Sequence, residues 1–243
     1  MPNPTAAMLV IGDEILSGRT RDSNAHHLAR RLGEHGIDLR EIRFVPDDAD
    51  TIETAARELS ARFDHLFTSG GIGPTHDDIT ADCIAAAGGV PIGVRADARA
   101  ALQAHYEARG TELNEARLRM ARIPEGATLI DNPVSAAPGF SLGNIHVMAG
   151  VPSIFAAMLD SVLPRLTHGT PLVSRSVILH RGEGDIAGPL GVLQADFPDL
   201  SIGSYPGHVS GTMAVSVVLR GTDAARLDVA VARLSEMFPE LAQ

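Results

Sequence analysis

One segment of the chain combines glycines with hydroxyl and carboxylate side chains in a way that suits phosphate chemistry. It reads Thr-Ser-Gly-Gly-Ile-Gly-Pro-Thr-His-Asp-Asp-Ile-Thr over 68–80, between a short apolar run and a predicted helix. Glycines let the backbone approach an anion closely, and amides at a helix N-terminus add donors and a favourable dipole. The pattern therefore predicts a turn that holds a phosphate without lysine. The alternative is an ordinary strand-to-helix turn in which Asp77 or Asp78 caps the helix.

Acidic residues follow three successive predicted strands. Gly12-Asp13-Glu14 follows the first strand, Pro46-Asp47-Asp48 follows the second, and Asp77-Asp78 lies beyond the third. Ligands of open α/β sheets bind at the carboxyl ends of the strands, so these acids are expected at one edge beside the glycine turn. The alternative for Asp48 or Asp78 is simple helix capping.

Carboxylates that face a phosphate would repel it unless a cation lies between them. Mg²⁺ is commonly held by one or two carboxylates together with substrate phosphates, so the pattern favours a divalent metal. An arginine could also bridge the two, and Arg19 and Arg21 lie close to the first acidic cluster in sequence. The alternative for these arginines is solvated loop charge.

Other reactive side chains give weaker patterns. The adjacent pair His26-His27 lacks the i, i+4 spacing of a zinc pair on a helix. His76 lies in the glycine turn and is the histidine that could serve as an acid or a ligand. Cys83 lies on a predicted apolar helix face, which favours a buried structural thiol over a nucleophile.

The composition excludes several classes of chemistry and partner. The 243 residues carry a net charge of −10, and all 20 basic residues are arginine, so no P-loop lysine, Schiff-base lysine or Ser-Lys dyad exists. The acidic balance and the nine aromatic residues, seven Phe and two Tyr, argue against nucleic-acid binding. One cysteine and no apolar run of membrane-spanning length predict a soluble, cytoplasmic protein without a membrane partner.

The hydrophobic periodicity predicts the fold that would bring these residues together. Strands over 6–11, 37–45 and 65–68 alternate with helices in the first 90 residues, the third helix covering about 78–87. This alternation predicts an α/β fold: a three-layer, open, mostly parallel sheet with helices on both faces. A helix is expected over 95–122, strands over 128–130 and 140–148, and a helix near 154–162.

A second, smaller unit is predicted after a Pro/Gly/Thr-rich linker over 164–171. Its pattern indicates a strand over 172–180, a helix over 185–196, strands over 201–205 and 212–220, and a final helix. The predicted domains are therefore 1–168, the α/β unit, and 169–243, a small α+β unit.

The motifs as a whole resemble a known family. The segment 68–80 is similar to the motif of the MoaB/Mog molybdopterin-binding family, and 12–18 with Asp22 and Asn24 resembles its first strand and loop. The resemblance is greatest to the N-terminal half of the competence/damage-inducible CinA-like proteins, without their C-terminal amidohydrolase domain. A similar domain is attached to some FAD synthases. The resemblance continues through 132–140, 150–152, 202–206 and 220–223.

Four positions depart from the pattern of the CinA-like proteins. Ser135 and Ala136 replace a Gly-Thr pair, Ala149 replaces a proline, and Met120 replaces a common glutamine. A side chain at 135 is expected to crowd a phosphate held by that loop, so these departures bear on catalysis more than on the fold.

The resemblance implies two kinds of function. MoaB/Mog proteins bind molybdopterin, and some adenylylate it with ATP and Mg²⁺. The CinA-like half resembles a metal-dependent pyrophosphatase of ADP-ribose, and the FAD-synthase relative a hydrolase of FAD. The alternative is a non-catalytic pterin or nucleotide binder, or an oligomeric scaffold, related to molybdenum cofactor biosynthesis.

The resemblance also implies roles for individual residues. The catalytic acids would be Asp13, Asp47 and Asp78, of which Asp47 and Asp78 would hold Mg²⁺, Mn²⁺ or Co²⁺. Residues expected to contact the ligand or its phosphate are Ser69, Gly70, Gly71, Gly73, Thr75, Asp22, Asn24 and Gly139. The expected partners are a small pterin or nucleotide, molybdopterin included, and further copies of the chain in a dimer or trimer.

Overall fold

The computed structural model describes residues 2–209 and 212–238. The chain divides into two compact units, the first ending at Gly169 and the second beginning at Thr170. Each unit has a hydrophobic core of its own.

The strands of the first unit form a six-stranded sheet and a two-stranded ribbon. They are β1 (Thr5–Ile11), β2 (Asp38–Val45), β3 (His65–Ser69), β4 (Ile92–Val94), β5 (Arg122–Pro124), β6 (Thr128–Ile130), β7 (Gly139–Leu142) and β8 (Ile145–Met148). The order in the large sheet is β2-β1-β3-β8-β7-β6, and β4 pairs with β5. Strands β2, β1, β3 and β8 are parallel, whereas β7 and β6 are antiparallel to their neighbours.

Helices cover both faces of this sheet. They are α1 (Asp13–Leu16), α2 (Asn24–Glu34), α3 (Ala49–Arg62), α4 (Thr80–Gly88), α5 (Ala96–Glu107), α6 (Glu115–Leu118) and α7 (Pro152–Val162). Short 3₁₀ turns occupy Arg119–Ala121 and Leu163–Arg165.

The continuous apolar run of β1 divides its side chains between two cores. Ala7, Leu9 and Ile11 pack on one face of the sheet with α3 and α4, and Met8 and Val10 pack on the other with α2 and α7. A strand buried on both faces needs this run because successive side chains point to opposite sides. The predicted α/β fold with a mostly parallel sheet is confirmed.

Two predicted elements differ from the structure. The segment 95–122 is not one helix: α5 ends at Glu107, Gly110 adopts a left-handed φ of 62°, and β5 begins at Arg122. The segment 140–148 is not one strand, because Gly143, with φ 57°, reverses the chain between β7 and β8. Glycine adopts these angles at little steric cost, so both reversals occur where the sequence offers one.

The second unit packs two helices on a three-stranded antiparallel sheet. Its elements are β9 (Val173–Leu179), α8 (Glu183–Asp196), β10 (Ser201–Val209), β11 (Thr212–Gly221) and α9 (Ala224–Met237), with sheet order β10-β11-β9. Buried residues of both helices and of β9 and β11 share one core. Within the described residues of the whole chain, no helix is both long and apolar enough to cross a membrane.

Candidate functional site

A cavity of about 400 Å³ opens at the carboxyl ends of β1, β2 and β3. Its size lies within the range of small-molecule sites. The chain segments that line it follow those strands directly, together with loops before β7 and after β8. The lining residues are Ile11, Gly12, Glu14, Asp47, Gly70, Gly71, Ile72, Gly73, Pro74, Asp77, Asp78, Met120, Asn132, Ser135, Ala137, Ala149, Gly150, Val151 and Ile154.

The charged residues of this cavity are all acidic. Among the described residues its lining includes the carboxylates of Glu14, Asp47, Asp77 and Asp78, and no arginine or histidine. Since like charges brought together raise one another's energy, the cavity attracts cations and repels a bare anion. Glu14 rather than the predicted Asp13 contributes the acid that follows β1. Both acids follow β1 in the sequence, but their spacing alone does not show which of the two lines the cavity.

Asp47 is held between the ends of β1 and β2. Its Oδ2 accepts the backbone N–H of Asp13 at 3.0 Å. Partial burial raises the pKa of the Asp47 carboxyl, the negative charges of Asp13, Glu14 and Asp77 raise it further, and the Asp13 N–H opposes them. The next residue, Asp48, points away and caps α3 by accepting the Thr51 N–H at 3.0 Å.

Three glycines of the turn after β3 lie so close to neighbouring atoms that an added Cβ would contact them. Gly70 has φ 108°, and a Cβ there would lie 2.2 Å from the Ile11 carbonyl oxygen. Gly71 has φ 67°, and a Cβ there would lie 2.1 Å from Oγ1 of Thr80. A Cβ at Gly73 would lie 2.6 Å from Oδ2 of Asp78. Glycine is therefore required at Gly70 and Gly71 independently of any ligand, because both combine a positive φ with a close contact, whereas the obstacle at Gly73 is the Asp78 side chain.

Some backbone N–H groups of this turn already donate a hydrogen bond within the protein, and others do not. The Gly70 N–H donates to the Met148 carbonyl at 3.2 Å, so it is already satisfied within the sheet. In the described part of the chain, the amides of Gly71, Ile72 and Gly73 have no hydrogen-bond partner. These amides beside the cavity are the donors that an anionic oxygen could use.

Asp78 faces the cavity while closing the turn. Its Oδ2 accepts both the backbone N–H and the side-chain hydroxyl of Thr75, so Thr75 positions Asp78. The carboxylate oxygens together offer about four acceptor sites, and these two bonds leave the others for a ligand. His76, which precedes Asp77, has a side chain 98% exposed and does not line the cavity.

A smaller cavity of about 60 Å³ adjoins the first and shares Ile11, Glu14 and Gly150 with it. The predicted residues Asp22, Asn24 and Ser69 line this second cavity. The buried Asn24 amide donates to Ser69 Oγ at 2.8 Å and to the Gly150 carbonyl at 2.7 Å. Asn24 therefore joins the end of β3 to the loop after β8. Asp22 accepts the Ala25 N–H at 3.0 Å and so supports the start of α2.

The loop before β7 carries two departures from the family pattern and brings one of them to the cavity. Ser135 lines it, and its Oγ accepts the Asn132 amide at 2.7 Å. Ala136 has a left-handed φ of 60°, the one non-glycine residue with positive φ in the described chain. Gly139 is buried in β7, where a Cβ would lie 2.3 Å from the Val147 carbonyl oxygen. The structure thus places Gly139 at a close contact between strands, outside the cavity lining.

Arg119 is a cationic side chain near the glycine turn, outside the lining of the larger cavity. With Gly73, Asp78 and Arg122 it lines a narrow space of about 20 Å³, room for one water. Its guanidinium donates to the Asp78 carbonyl at 3.4 Å, and its Nε is buried without a hydrogen-bond partner among the described residues. Arg119 was not predicted from the sequence, where it looks like any arginine of a polar helix.

Cys83 has the surroundings of a structural thiol. It is buried in the core of α3 and α4, and burial raises the pKa of its thiol to about 11. The thiolate, which is the nucleophilic form, is therefore disfavoured.

Comparison with known proteins assigns the chain to a family. Residues 7–168 match the model of a probable molybdopterin binding domain, and residues 171–242 match the middle domain of FAD synthase. The chain belongs to the molybdopterin-binding domain family. A CinA-like protein of Citrifermentans bemidjiense is 41% identical over 166 residues, 66% of this chain and 40% of that protein. This chain thus matches less than half of that relative's length.

Two further relatives support the family assignment. An Archaeoglobus fulgidus protein is 31% identical over 236 residues, 95% of this chain and 96% of its own length. The crystal structure of CinA from Thermoplasma acidophilum, a protein of unknown function, shares 34% identity with a TM-score of 0.61. It covers 66% of this chain and 98% of its own. The resemblance to the molybdopterin-binding family and to the N-terminal half of CinA-like proteins is confirmed.

The acids of this family member restrict which metal they could hold. Within the described residues, no group of three or more His, Cys, Asp or Glu side chains is arranged to hold a metal ion. A site for Zn²⁺, which takes three or four protein ligands, does not fit. Mg²⁺ does fit, because it keeps several waters and needs one or two carboxylates beside the phosphates of a ligand.

Proposed function

We propose that the larger cavity binds a pterin or nucleotide through its phosphate, together with Mg²⁺ or a similar divalent cation. The observation that carries this proposal is the pairing of four cavity carboxylates with the unpartnered amides of Gly71, Ile72 and Gly73. The amides suit an anion and the acids suit a cation. Both are used at once when a cation lies between the acids and a phosphate.

The reaction that we propose is hydrolysis of a nucleotide pyrophosphate such as ADP-ribose or FAD. Asp47 and Asp78 would hold the cation, and the glycine-turn amides would orient one phosphate. Glu14 or Asp13 would position the attacking water. When bound, the cation neutralises phosphate charge and activates water. The match of 171–242 to the middle domain of FAD synthase supports a nucleotide substrate.

A second candidate is a binder of the same ligands without catalysis. It is favoured by Thr75, whose two hydrogen bonds occupy Oδ2 of Asp78, and by the Ser135 side chain at the cavity wall. Both features reduce the room and the free acceptors near a bound phosphate. The two candidates share the ligand and differ only in turnover.

Calorimetry tests binding for both candidates. ADP-ribose, FAD and ATP are titrated into the protein with and without MgCl₂, and molybdopterin is added as a fourth ligand. We expect saturable binding that requires the cation. Asp47→Asn should weaken it by about 10-fold, the effect of losing one charge-assisted contact of about 1.4 kcal/mol. The control Asp50→Asn removes an exposed acid of α3 that does not line the cavity.

Turnover assays then separate hydrolysis from binding. The same nucleotides are incubated with Mg²⁺, Mn²⁺ or Co²⁺, and release of the mononucleotide is followed. Turnover above an Asp78→Asn control supports the hydrolase. Saturable binding without turnover supports the binder, and the absence of both would rule out the two candidates.

A further inference from the structure

Within the described residues, the second unit has a sheet face that its own helices do not cover. Val215 and Leu219 of β11 point into the core that α8 and α9 share. Because successive side chains of a strand point to opposite faces, Ser216, Val218 and Arg220 lie on the other face of the sheet. The residues of β9 and β10 that pair with these three lie there with them. We call this surface the open sheet face, and it includes Ser176, Gly203, Tyr205, Ser216, Val218 and Arg220.

Tyr205 presents an aromatic ring on the open sheet face. Its neighbour Ser204 donates to Oε1 of Glu183 in α8 at 2.7 Å, so Ser204 faces the helices and Tyr205 faces away from them. Gly203 and Gly207, two residues before and after it, share its face and carry no side chain. A Cβ at Gly203 would lie 3.4 Å from Cε2 and Oη of Tyr205, so the ring lies against this glycine. The side chain is 49% exposed, which leaves part of the ring open to a ligand.

Arg220 carries the one charge of the open sheet face among the described residues. Its Cζ lies 6.0 Å from the centroid of the Tyr205 ring, at the outer limit of a cation–π contact. Other arginines of this unit pair with acids, as Arg175 does with Asp228 at 2.8 Å. In the described part of the chain, Arg220 has no carboxylate partner. Its positive charge is therefore available to an anion.

An exposed aromatic ring beside an unpaired guanidinium suits a ligand that combines a planar ring with a negative charge. Nucleic bases stack on aromatic rings and guanidinium planes, and phosphates form charge-assisted hydrogen bonds with arginine. Ser216 lies directly opposite Tyr205 in the sheet, and its hydroxyl can bond the ribose or the edge of a base. One aromatic platform serves one base, so a mononucleotide fits this face better than a nucleic-acid strand. A purine offers a larger stacking surface than a pyrimidine.

We propose that the open sheet face binds a purine nucleotide, whose base stacks on Tyr205 and whose phosphate pairs with Arg220. These two residues belong to 202–206 and 220–223, segments that resemble the family pattern and lie outside the larger cavity. The open sheet face carries a positive charge, whereas the larger cavity is acidic, so its nucleotide binds without a divalent cation. The inference therefore does not rest on the function proposed for the larger cavity, and the two can fail separately.

Tyrosine NMR tests the proposal on the full chain, which has two tyrosines and no tryptophan. AMP is titrated in the presence of EDTA into protein labelled with ¹³C in its tyrosine rings. The signals of Tyr205 should shift saturably, because a stacked base changes the field at the ring, and those of Tyr106 should not. Tyr205→Phe assigns the signals and should keep the binding, followed by calorimetry, since phenylalanine still stacks.

Two variants and one control separate the contacts. Tyr205→Ser should raise the dissociation constant of AMP by about 10-fold or more, the effect of losing one stacked base. Arg220→Gln should raise it by about 10-fold through the loss of one charge-assisted contact. The control Arg99→Gln makes the same change in net charge at an exposed arginine of α5 and should leave the binding unchanged. Circular dichroism confirms that each variant is folded.

Four results would overturn the proposal. One is unchanged AMP binding in Tyr205→Ser, and another is no saturable shift up to about 10 mM AMP. A third is binding that requires Mg²⁺ and is lost in Asp47→Asn, because AMP would then occupy the larger cavity. The last is a Tyr205 signal that moves when the protein alone is diluted, which would show that a second copy of the chain covers this face.

Discussion

The backbone N–H of Asp13 donates to Oδ2 of Asp47 across 3.0 Å and so ties the end of β1 to the end of β2. Two acids that are 34 residues apart in sequence are thereby held at one edge of the sheet. Partial burial raises the pKa of Asp47, and the surrounding acids raise it further. The negative charge of Asp47 is thus unfavourable in the protein alone, and a cation bound beside it would stabilise that charge.

Asp47→Asn is expected to stabilise the ligand-free protein at pH 7. Because the pKa of Asp47 is raised on folding, the folded state binds its proton more tightly, and stability falls as pH rises past the ordinary value of 3.8. Asparagine removes the charge and keeps an oxygen for the Asp13 N–H. We expect a higher Tm at pH 7 and no difference below about pH 3.8, measured by thermal unfolding without divalent metal.

Asp48→Asn provides the matched control with the opposite sign. The hydroxyl and backbone N–H of Thr51 lower the pKa of Asp48, so its charge stabilises the fold above the ordinary value of 3.8. Its substitution should lower the Tm at pH 7. Equal shifts for the two neighbours would contradict the assigned environments.

Gly71→Ala is expected to destabilise the first unit by more than its backbone angle alone explains. The left-handed φ of 67° costs a non-glycine residue about 1–2 kcal/mol. The new Cβ would also lie 2.1 Å from Oγ1 of Thr80, and overpacking adds about 1–3 kcal/mol. Gly89→Ala isolates the first cost, because Gly89 has φ 66° and no atom of the described residues would lie within 4 Å of its new Cβ. Urea unfolding of both variants measures the difference.

Thr80→Ala shows whether the contact is responsible. Within the described part of the chain, the buried Thr80 hydroxyl has no hydrogen-bond partner, so its removal should cost little by itself. In combination with Gly71→Ala it should recover part of the lost stability. Additive effects of the two substitutions would mean that the Thr80 hydroxyl is not the obstacle.

The site could be predicted from sequence where topology alone determines position. Acids after β1, β2 and β3 had to share an edge, since parallel strands end together. The choice of Glu14 over Asp13 as a lining residue depends on the path of α1, which no spacing reveals. The positioning role of Asn24 depends on Ser69 and Gly150, distant in sequence.

The fold was predicted best where apolar runs are long. The apolar run predicted a strand over 6–11, and β1 covers Thr5–Ile11. Strands β4 and β5 were not predicted. Each has only three residues, and its conformation comes from pairing with the other across about 30 intervening residues. The Arg/Glu-rich composition of 95–122 favours helix throughout, yet Gly110 and this pairing override it.

Asn24→Asp is expected to loosen the edge of the sheet beside the smaller cavity. A carboxylate cannot donate to the Gly150 carbonyl, so two acceptors would face each other in a buried place. The loss should be about 1–3 kcal/mol in urea unfolding. Ser69→Ala removes one bond and keeps the amide on Gly150, so its smaller loss is the comparison. If both variants lose the same free energy of unfolding, the hydrogen bond to Ser69 is the main contribution of Asn24 to stability.

The buried His146 should make the first unit sensitive to acid. Burial lowers its pKa to about 3, and the nearby His65 contributes; Ser141 Oγ lies 2.8 Å from its Nδ1. Because the folded pKa lies below the ordinary 6.5, stability is full above that value and falls at lower pH. The slope due to His146 approaches 1.4 kcal/mol per pH unit until about pH 3. His146→Gln should flatten the curve between about pH 6 and 4. Proton NMR of the histidine rings provides the direct check, and titration of His146 near pH 6.5 would contradict its burial.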